Sequence, residues 1–223
     1  MTLHLAPCSA KAARYACENW HYSASVPMPK NRYIGVWEGG AFIGAVIFSH
    51  GANHQMGSPF GLAIGEIAEL TRVALTSHKA HVTRIIRVAL LLLRSANPDL
   101  HIIISYADPA QGHEGTIYKA GNWHALGKSQ PSYGYAIGGK VLHKRAFTGK
   151  NYGNDKSHLP ASAVQVQCPG KFRFGYPLTA RGAAILSRRR PDGRSEVHSV
   201  AGGETPTTPL HSTDDAGPGA LRG

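Results

Sequence analysis

The sequence predicts an α/β (α+β) protein, with a mixed central sheet flanked by helices and a disordered C-terminal tail. Three observations predict it. Ile102, Ile103 and Ile104 form a continuous apolar run, the pattern of a strand buried on both faces. Val82, Ile85, Ile86, Ala89, Leu90 and Leu93 recur with a 3.6-residue period, which marks a long helix with one apolar face. Arg32 to Trp37 and Ala41 to Ser49 read as two strands joined by Glu38-Gly39-Gly40, a tight turn in which glycine supplies positive φ.

The remaining elements follow in chain order. Ala6 to Trp20 places Ala12, Ala13, Tyr15, Ala16 and Trp20 at roughly helical spacing and predicts a first amphipathic helix. Pro27 and Pro29 mark a loop. His50 to Phe60 is polar and glycine-rich, hence another loop, and Glu66 to Leu75 is a third strand. Thr76-Ser77 is expected to cap the long helix, so that His78, Lys79 and His81 fall in its first turn. Asn97-Pro98 ends that helix. Pro109 stops the strand begun at Ile102, Gln111 to Ala120 reads as a short helix, and Gly121 stands at its C-terminal cap. Trp123 to Gly127, Tyr133 to Ile137 and Lys140 to Phe147 read as further strands.

At 223 residues the chain can bury one good core plus an appendage. Hydrophobic density falls from Asn151 onward, with a local return at Lys171 to Leu178 (K-F-R-F-G-Y-P-L). From Pro191 the chain is rich in Gly, Pro, Ser and Thr and cannot bury enough apolar surface to order itself. The expected division is a catalytic domain over 1–150, a basic C-terminal extension over 151–190 that packs on it, and a disordered tail over 191–223.

Lys and Arg number 24 against 13 acidic residues, a formal net charge of +11. That balance favours a polyanionic partner, nucleic acid first and an anionic membrane second. Lys128, Lys140, His143, Lys144, Arg145 and Lys150 alternate with Tyr133, Tyr135, Phe147 and Tyr152. Such a mixture binds bases and phosphates, or else forms a solvated sheet edge guarded by lysines. Arg188-Arg189-Arg190 is a further basic cluster. Cys8, Cys17 and Cys168 are odd in number and form no C-x-x-C pair, which argues against a disulfide scaffold or a structural zinc site. The longest apolar run, Val88 to Leu93, is too short to span a bilayer. The expected location is therefore the cytoplasm, with no membrane partner.

The candidate site gathers at the end of the strand that begins at Ile102. The crevice beyond the carboxyl end of a central strand is where open α/β sheets bind ligands. Ser105, Tyr106 and Asp108 fall there, with Gln111, His113 and Tyr118 close behind. Asp108 is then either a site carboxylate or a solvated loop residue. His21, at the end of the first helix, is either a packed histidine or a catalytic base or metal ligand. Arg72 either pairs with Glu66 or Glu69 or holds an anion with its planar fork. His78 and Lys79 either face solvent or help a helix N-terminus hold a phosphate.

The helix and strand order, together with I-Y-K-A-G-N-W (Ile117 to Trp123), resembles the GCN5-related N-acetyltransferase (GNAT) fold. Longer words resemble one family more closely. They are W-H-Y-S (Trp20 to Ser23), I-G-V-W-E (Ile34 to Glu38), V-I-F-S (Val46 to Ser49), G-A-N-H (Gly51 to His54), E-L-T-R-V-A-L-T-S (Glu69 to Ser77) and Y-A-D-P-A-Q-G-H (Tyr106 to His113). These, with K-F-R-F-G-Y-P-L, are similar to the phage Mom DNA-modification family, from about Ala12 to Phe147 and again near the C-terminus.

The resemblance implies a transferase that converts adenine in duplex DNA to N6-carbamoylmethyladenine and so protects phage DNA from host restriction. It implies two partners, double-stranded DNA and a small-molecule donor of the carbamoylmethyl group. It carries functional positions onto His21, Tyr22, Arg72, Asp108 and Tyr118. It also implies Fe(II), for which His21 and Asp108 would be ligands, with a second histidine among His50, His54 and His113. An acetyl-CoA-like donor is implied as well. GNAT proteins cradle the CoA pyrophosphate with a Gln/Arg-x-x-Gly-x-Gly/Ala loop, whereas S-H-K-A-H-V-T-R (Ser77 to Arg84) has no glycine. Two other functions remain open at this point. One is an acyl-CoA-dependent N-acyltransferase acting on a small amine or a protein; the other is a DNA-binding protein without enzymatic activity.

Overall fold

The computed structural model describes residues 2–26, 31–51, 55–143 and 159–189. The loop prolines Pro27 and Pro29, His54, the basic and aromatic residues from Lys144 to Tyr152, Arg190 and the tail 191–223 lie outside these residues.

A seven-stranded sheet is the frame. Its members are β1 (Leu3–Pro7), β2 (Asn31–Glu38), β3 (Ala41–Ser49), β4 (Ile67–Leu75), β5 (Ile102–Ala107), β6 (His124–Lys128) and β10 (Phe172–Pro177), in the spatial order β1-β2-β3-β4-β5-β10-β6. Every adjacent pair is antiparallel except β4 and β5. A parallel pair needs a crossover, and α2 (Val82–Ala96) supplies it. This is the expected mixed sheet. A small second sheet holds β7 (Ser132–Ile137), β8 (Lys140–His143) and β9 (Val164–Cys168) in the order β8-β7-β9.

Helices cover both faces. On one face α2 buries Ile85, Ile86, Ala89, Leu90 and Leu93, the stripe that its period predicts. They join Val36, Val46, Phe48, Leu70 and Ile103 in the largest core cluster. On the other face α1 (Ala10–Trp20) packs Ala13, Ala16 and Cys17 on Ala45, Ile47 and Ala74, with small residues allowing close approach. Beside it α4 (Ala180–Ser187) buries Leu186 against Ile67, Ile102, Ile104 and Leu126. Among the described residues no helix is long and apolar enough to cross a membrane.

Several local expectations are corrected. The first helix begins at Ala10, not Ala6, because Ser9 accepts the Ala12 N–H at 3.2 Å and so caps it there. Leu3–Pro7 is an edge strand on β2. Thr76-Ser77 does not cap α2; the N-cap is His81, and His78 and Lys79 lie in the loop ahead of the helix. The helix expected from Gln111 begins only at Thr116, as α3 (Thr116–Ala120), because Gly112 and Gly115 adopt φ of 70° and 78° and break the turn. The largest difference concerns Lys171 to Leu178. It is not an appendage resting on a finished domain, since β10 lies inside the sheet between β5 and β6.

Candidate active site

The β4–β5 pairing runs from Ile67↔Ile102 to Leu70↔Ser105 and stops. Beyond that point β4 follows β3 to Leu75, while β5 follows β10 to Ala107. The strands part there, and the candidate residues collect around the opening.

Ser105 is the last rung, and its side chain is 1% exposed. Its Oγ lies 2.8 Å from the Leu70 carbonyl and 2.7 Å from the Tyr118 hydroxyl. The carbonyl can only accept, so when Ser105 donates its one proton there, the Tyr118 O–H donates to Ser105 Oγ. The reverse arrangement, Ser105 donating to Tyr118, is equally available by rotating one hydroxyl. Tyr118 comes from α3 and is 7% exposed. Its ring stacks on Phe174 at 5.0 Å and tilts against Trp123 at 5.0 Å. Burial pushes its phenol pKa up, against the Ser105 hydrogen bond that lowers it; Tyr22 and Glu69 add to the rise. Phe174 is opposite Ser105 across β10 and β5, so the late C-terminal strand builds one wall of this site.

Arg72 reaches the opening through an irregularity in β4. Ala68 and Leu70 face the α2 core, and strict alternation would send Arg72 the same way. The β3–β4 register passes from Ile47↔Arg72 to Phe48↔Leu70, leaving Thr71 as an extra residue whose Oγ1 donates to the Ile47 carbonyl at 3.0 Å. The bulge turns Arg72 onto the face of Ala74 and α1. There its Nη1 donates to the Thr71 carbonyl at 2.7 Å and its Nε to the Ser25 carbonyl at 3.3 Å.

His21 is the C-cap of α1, and its backbone N–H donates to the Cys17 carbonyl. The Ser23 N–H donates to His21 Nδ1 at 3.1 Å, with Ser23 Oγ 2.8 Å away. An N–H can only donate, so Nδ1 is the acceptor and the neutral ring carries its proton on Nε2. Burial, then Arg72, then His113 lower the His21 pKa from 6.5 to about 4. At neutral pH it is an uncharged ring offering Nε2–H. Tyr22 lies tilted by 31° against it at a centroid distance of 4.3 Å and meets His113 edge-on at 5.2 Å. Tyr22 is 57% exposed, an aromatic face open to solvent at the mouth. Ala24 closes this turn at φ 44°, a strained value for a non-glycine residue.

The other candidates make different contacts. Ser105 and Tyr106 are adjacent on one strand and point to opposite faces. Tyr106 packs against the α4-side core, opposite Arg173. Burial raises its pKa, Glu69 adds to the rise and Arg173 opposes it. Asp108 accepts the Ala110 N–H at 3.1 Å as an N-cap and pairs with Lys171 Nζ at 2.8 Å, so its carboxylate anchors the chain leading into β10. Lys79 and Ala80 donate their N–H groups to the two Glu38 carboxylate oxygens at 2.9 and 2.8 Å. His78 Nδ1 lies 2.7 Å from the Thr76 carbonyl. The expected anion site at His78 and Lys79 is therefore filled by a residue of this chain.

The implied iron does not fit the described residues. His21 faces Arg72 and His113, Asp108 faces Lys171, and His50 lines a separate cavity with Arg32, Asn97 and Asp99. Among the described residues no three His, Cys, Asp or Glu side chains come together as a metal-holding group. Sequence reasoning missed Ser23, Ser25, Phe174 and Glu38. Ser23, Glu38 and Phe174 stand in W-H-Y-S, I-G-V-W-E and K-F-R-F-G-Y-P-L, whereas nothing local connects Ser25 with the site.

Among solved structures, the spermidine/spermine N-acetyltransferase SpeG from Vibrio cholerae matches 79% of this chain and 92% of its own at 13% identity and a TM-score of 0.44. A SpeG chimera from Vibrio cholerae and hSSAT matches 84% of this chain and 100% of its own at 14% identity and a TM-score of 0.49. A probable acetyltransferase from Staphylococcus epidermidis matches 80% and 100% at 8% identity and a TM-score of 0.46. No curated protein sequence matches the chain. The Mom protein family matches residues 2–191, a span that takes in the Arg72 bulge, the Ser105–Tyr118 pair and β10. On that match over most of its length, the chain belongs to the Mom protein family.

Proposed function

We propose that the protein is a DNA-modifying transferase that converts adenine in duplex DNA to N6-carbamoylmethyladenine and thereby shields phage DNA from restriction. Family membership supports the reaction class. The observation that carries the assignment of roles is the opening between β4 and β5, where Tyr22, His21, Arg72 and Tyr118 gather.

Adenine N6 is a weak nucleophile whose lone pair is delocalised into the ring, and it lies inside the helix. The base must flip out, at a cost of a few kcal/mol. Tyr22, exposed and tilted against His21, offers a platform for the flipped base. The donor is a carbamoylmethyl group on a leaving atom. Its amide carbonyl would accept from His21 Nε2–H and from Arg72 N–H groups not spent on Ser25 and Thr71. N6 forms the new bond to the donor CH2, and the leaving atom departs with the old bonding pair. Tyr118 gives that atom its proton, and Ser105 turns its hydroxyl from Leu70 to hold the phenolate. The alkylated nitrogen then returns a proton to Tyr118, so the protein ends as it began. The basic surface grips the backbone, and binding should fall steeply with salt.

Nucleoside mass spectrometry tests this. The full chain is expressed in a bacterium, and recovered plasmid is digested and searched for deoxyadenosine bearing a carbamoylmethyl group. A new species appearing only with the wild-type protein is the expected result. Unmodified adenine alongside folded protein would set the reading aside in favour of acyl-CoA transfer to an amine.

A further inference from the structure

The loop between β4 and α2 presents two successive N–H groups, Lys79 and Ala80, in one direction. Lys79 adds positive charge beside them, and the His78 ring lies next to it. Successive amides with cations beside them make a concavity that takes an anion. In this chain the anion is Glu38, the last residue of β2, brought over by the Gly39-Gly40 turn. Its two oxygens accept one N–H each, as two oxygens of a phosphoryl group would. The turn is itself tied down, since the Gly39 N–H donates to the Thr2 carbonyl at 2.9 Å. The Lys79 amide does most to hold the Glu38 carboxyl below its ordinary pKa; burial opposes it, and the Ala80 amide, His78 and Lys79 add to the lowering, which prevails. The carboxylate is thus ionised throughout the neutral range, and a phosphate entering the cradle would meet a like charge already seated.

We infer that Glu38 is the built-in occupant of the anion cradle ahead of α2, and that the transferred group does not reach this protein on a carrier held there by its diphosphate. The second half rests on the modification reading above; the first half stands without it. The carrier class this favours is a small molecule, or one gripped outside this loop, with its reactive end at Arg72 and His21. The missing glycines in Ser77 to Arg84 point the same way, since a side chain on each loop residue limits how closely a diphosphate can approach.

The test uses the full-length protein, isotope-labelled, with inorganic pyrophosphate and then coenzyme A as probes, and reads the backbone amide signals of Lys79 and Ala80. In the wild type neither signal should move with either probe up to millimolar concentration. In Glu38→Ala both should move saturably with pyrophosphate, with at least a tenfold gain in affinity over the wild type. Glu38→Gln keeps the shape and removes the charge, and serves if the alanine variant does not fold; it should gain in the same direction. Wild-type signals that titrate with either probe overturn the inference, as does a folded variant no more responsive than the wild type. The readout contains no DNA. Failure of plasmid modification with these titrations intact would therefore fall on the proposed function and leave the cradle in place.

Discussion

Replacing Tyr118 by Phe separates catalysis from stability. The substitution removes one hydroxyl and keeps the ring against Phe174 and Trp123. Ser105 loses a neighbour at 2.7 Å but retains the Leu70 carbonyl at 2.8 Å, so no buried donor is orphaned. The stability cost is one net hydrogen bond, about 0.5–1.5 kcal/mol. For a chain of this size that lowers the melting temperature by roughly 1–6 °C. If Tyr118 supplies the proton to the leaving atom, the rate falls by about 10²–10⁴, equivalent to about 3–5 kcal/mol of barrier. The two magnitudes differ by more than the uncertainty in either. Ser105→Ala costs more stability: it strands the Tyr118 hydroxyl in a site 7% exposed and should cost about 1–3 kcal/mol, along with the hydroxyl that holds the phenolate. The assays are thermal unfolding and the yield of modified deoxyadenosine from plasmid. Wild-type modification by folded Tyr118→Phe would refute the proton role and return Tyr118 to packing.

Three further outcomes are expected. Gly115→Ala places a Cβ 2.2 Å from the Phe174 ring at a residue with φ +78°, so strain and displacement of the aromatic beneath Tyr118 should together cost about 2–4 kcal/mol; an unchanged denaturation midpoint would contradict the packing. His21 has a folded pKa of about 4 against 6.5 unfolded, so the unfolded chain binds the extra proton between those values and stability falls as pH drops through that window. The ring is partly open to water, which reduces the effect to roughly 1–2 kcal/mol, and His21→Gln should flatten that part of the pH profile. Asp108→Asn keeps a residue able to cap Pro109–Gln111 and loses only the partly exposed pair with Lys171, so it should unfold within about 1 kcal/mol of the wild type. Abolished modification in that folded variant would return the Asp108 carboxylate to the chemistry.

Much of the frame was legible in the sequence because it is written in local periodicity. The α2 stripe, the Ile102–Ile104 strand and the β2–β3 hairpin each carry their pattern within one element. The boundaries that failed did so where a single hydrogen bond or a positive φ overrides pattern, as at Ser9, Gly112 and Gly115. His21, Tyr22, Arg72 and Tyr118 stand in words of the sequence, and Ser105 was read from its place at the end of its strand; in the structure His21 meets Tyr22 and Arg72, and Ser105 meets Tyr118. Tyr106 packs in the α4-side core opposite Arg173, across the sheet from Ser105 and Tyr118. The Asp108 carboxylate pairs with Lys171 and His78 Nδ1 meets the Thr76 carbonyl, contacts that no word in the sequence reveals.

By itself, the sequence determined the element types, the basic character and the family, because these depend on composition, short-range spacing and ordered words. Only the tertiary structure decided three things. It inserted β10 beside β5, so that Phe174, which lies 56 residues after Tyr118 in the chain, supports it. It used the extra residue Thr71 to turn Arg72 toward α1. It carried Glu38 across to the amides of Lys79 and Ala80. Each joins residues distant in the chain, and such contacts depend on strand order and register, which side-chain periodicity does not encode.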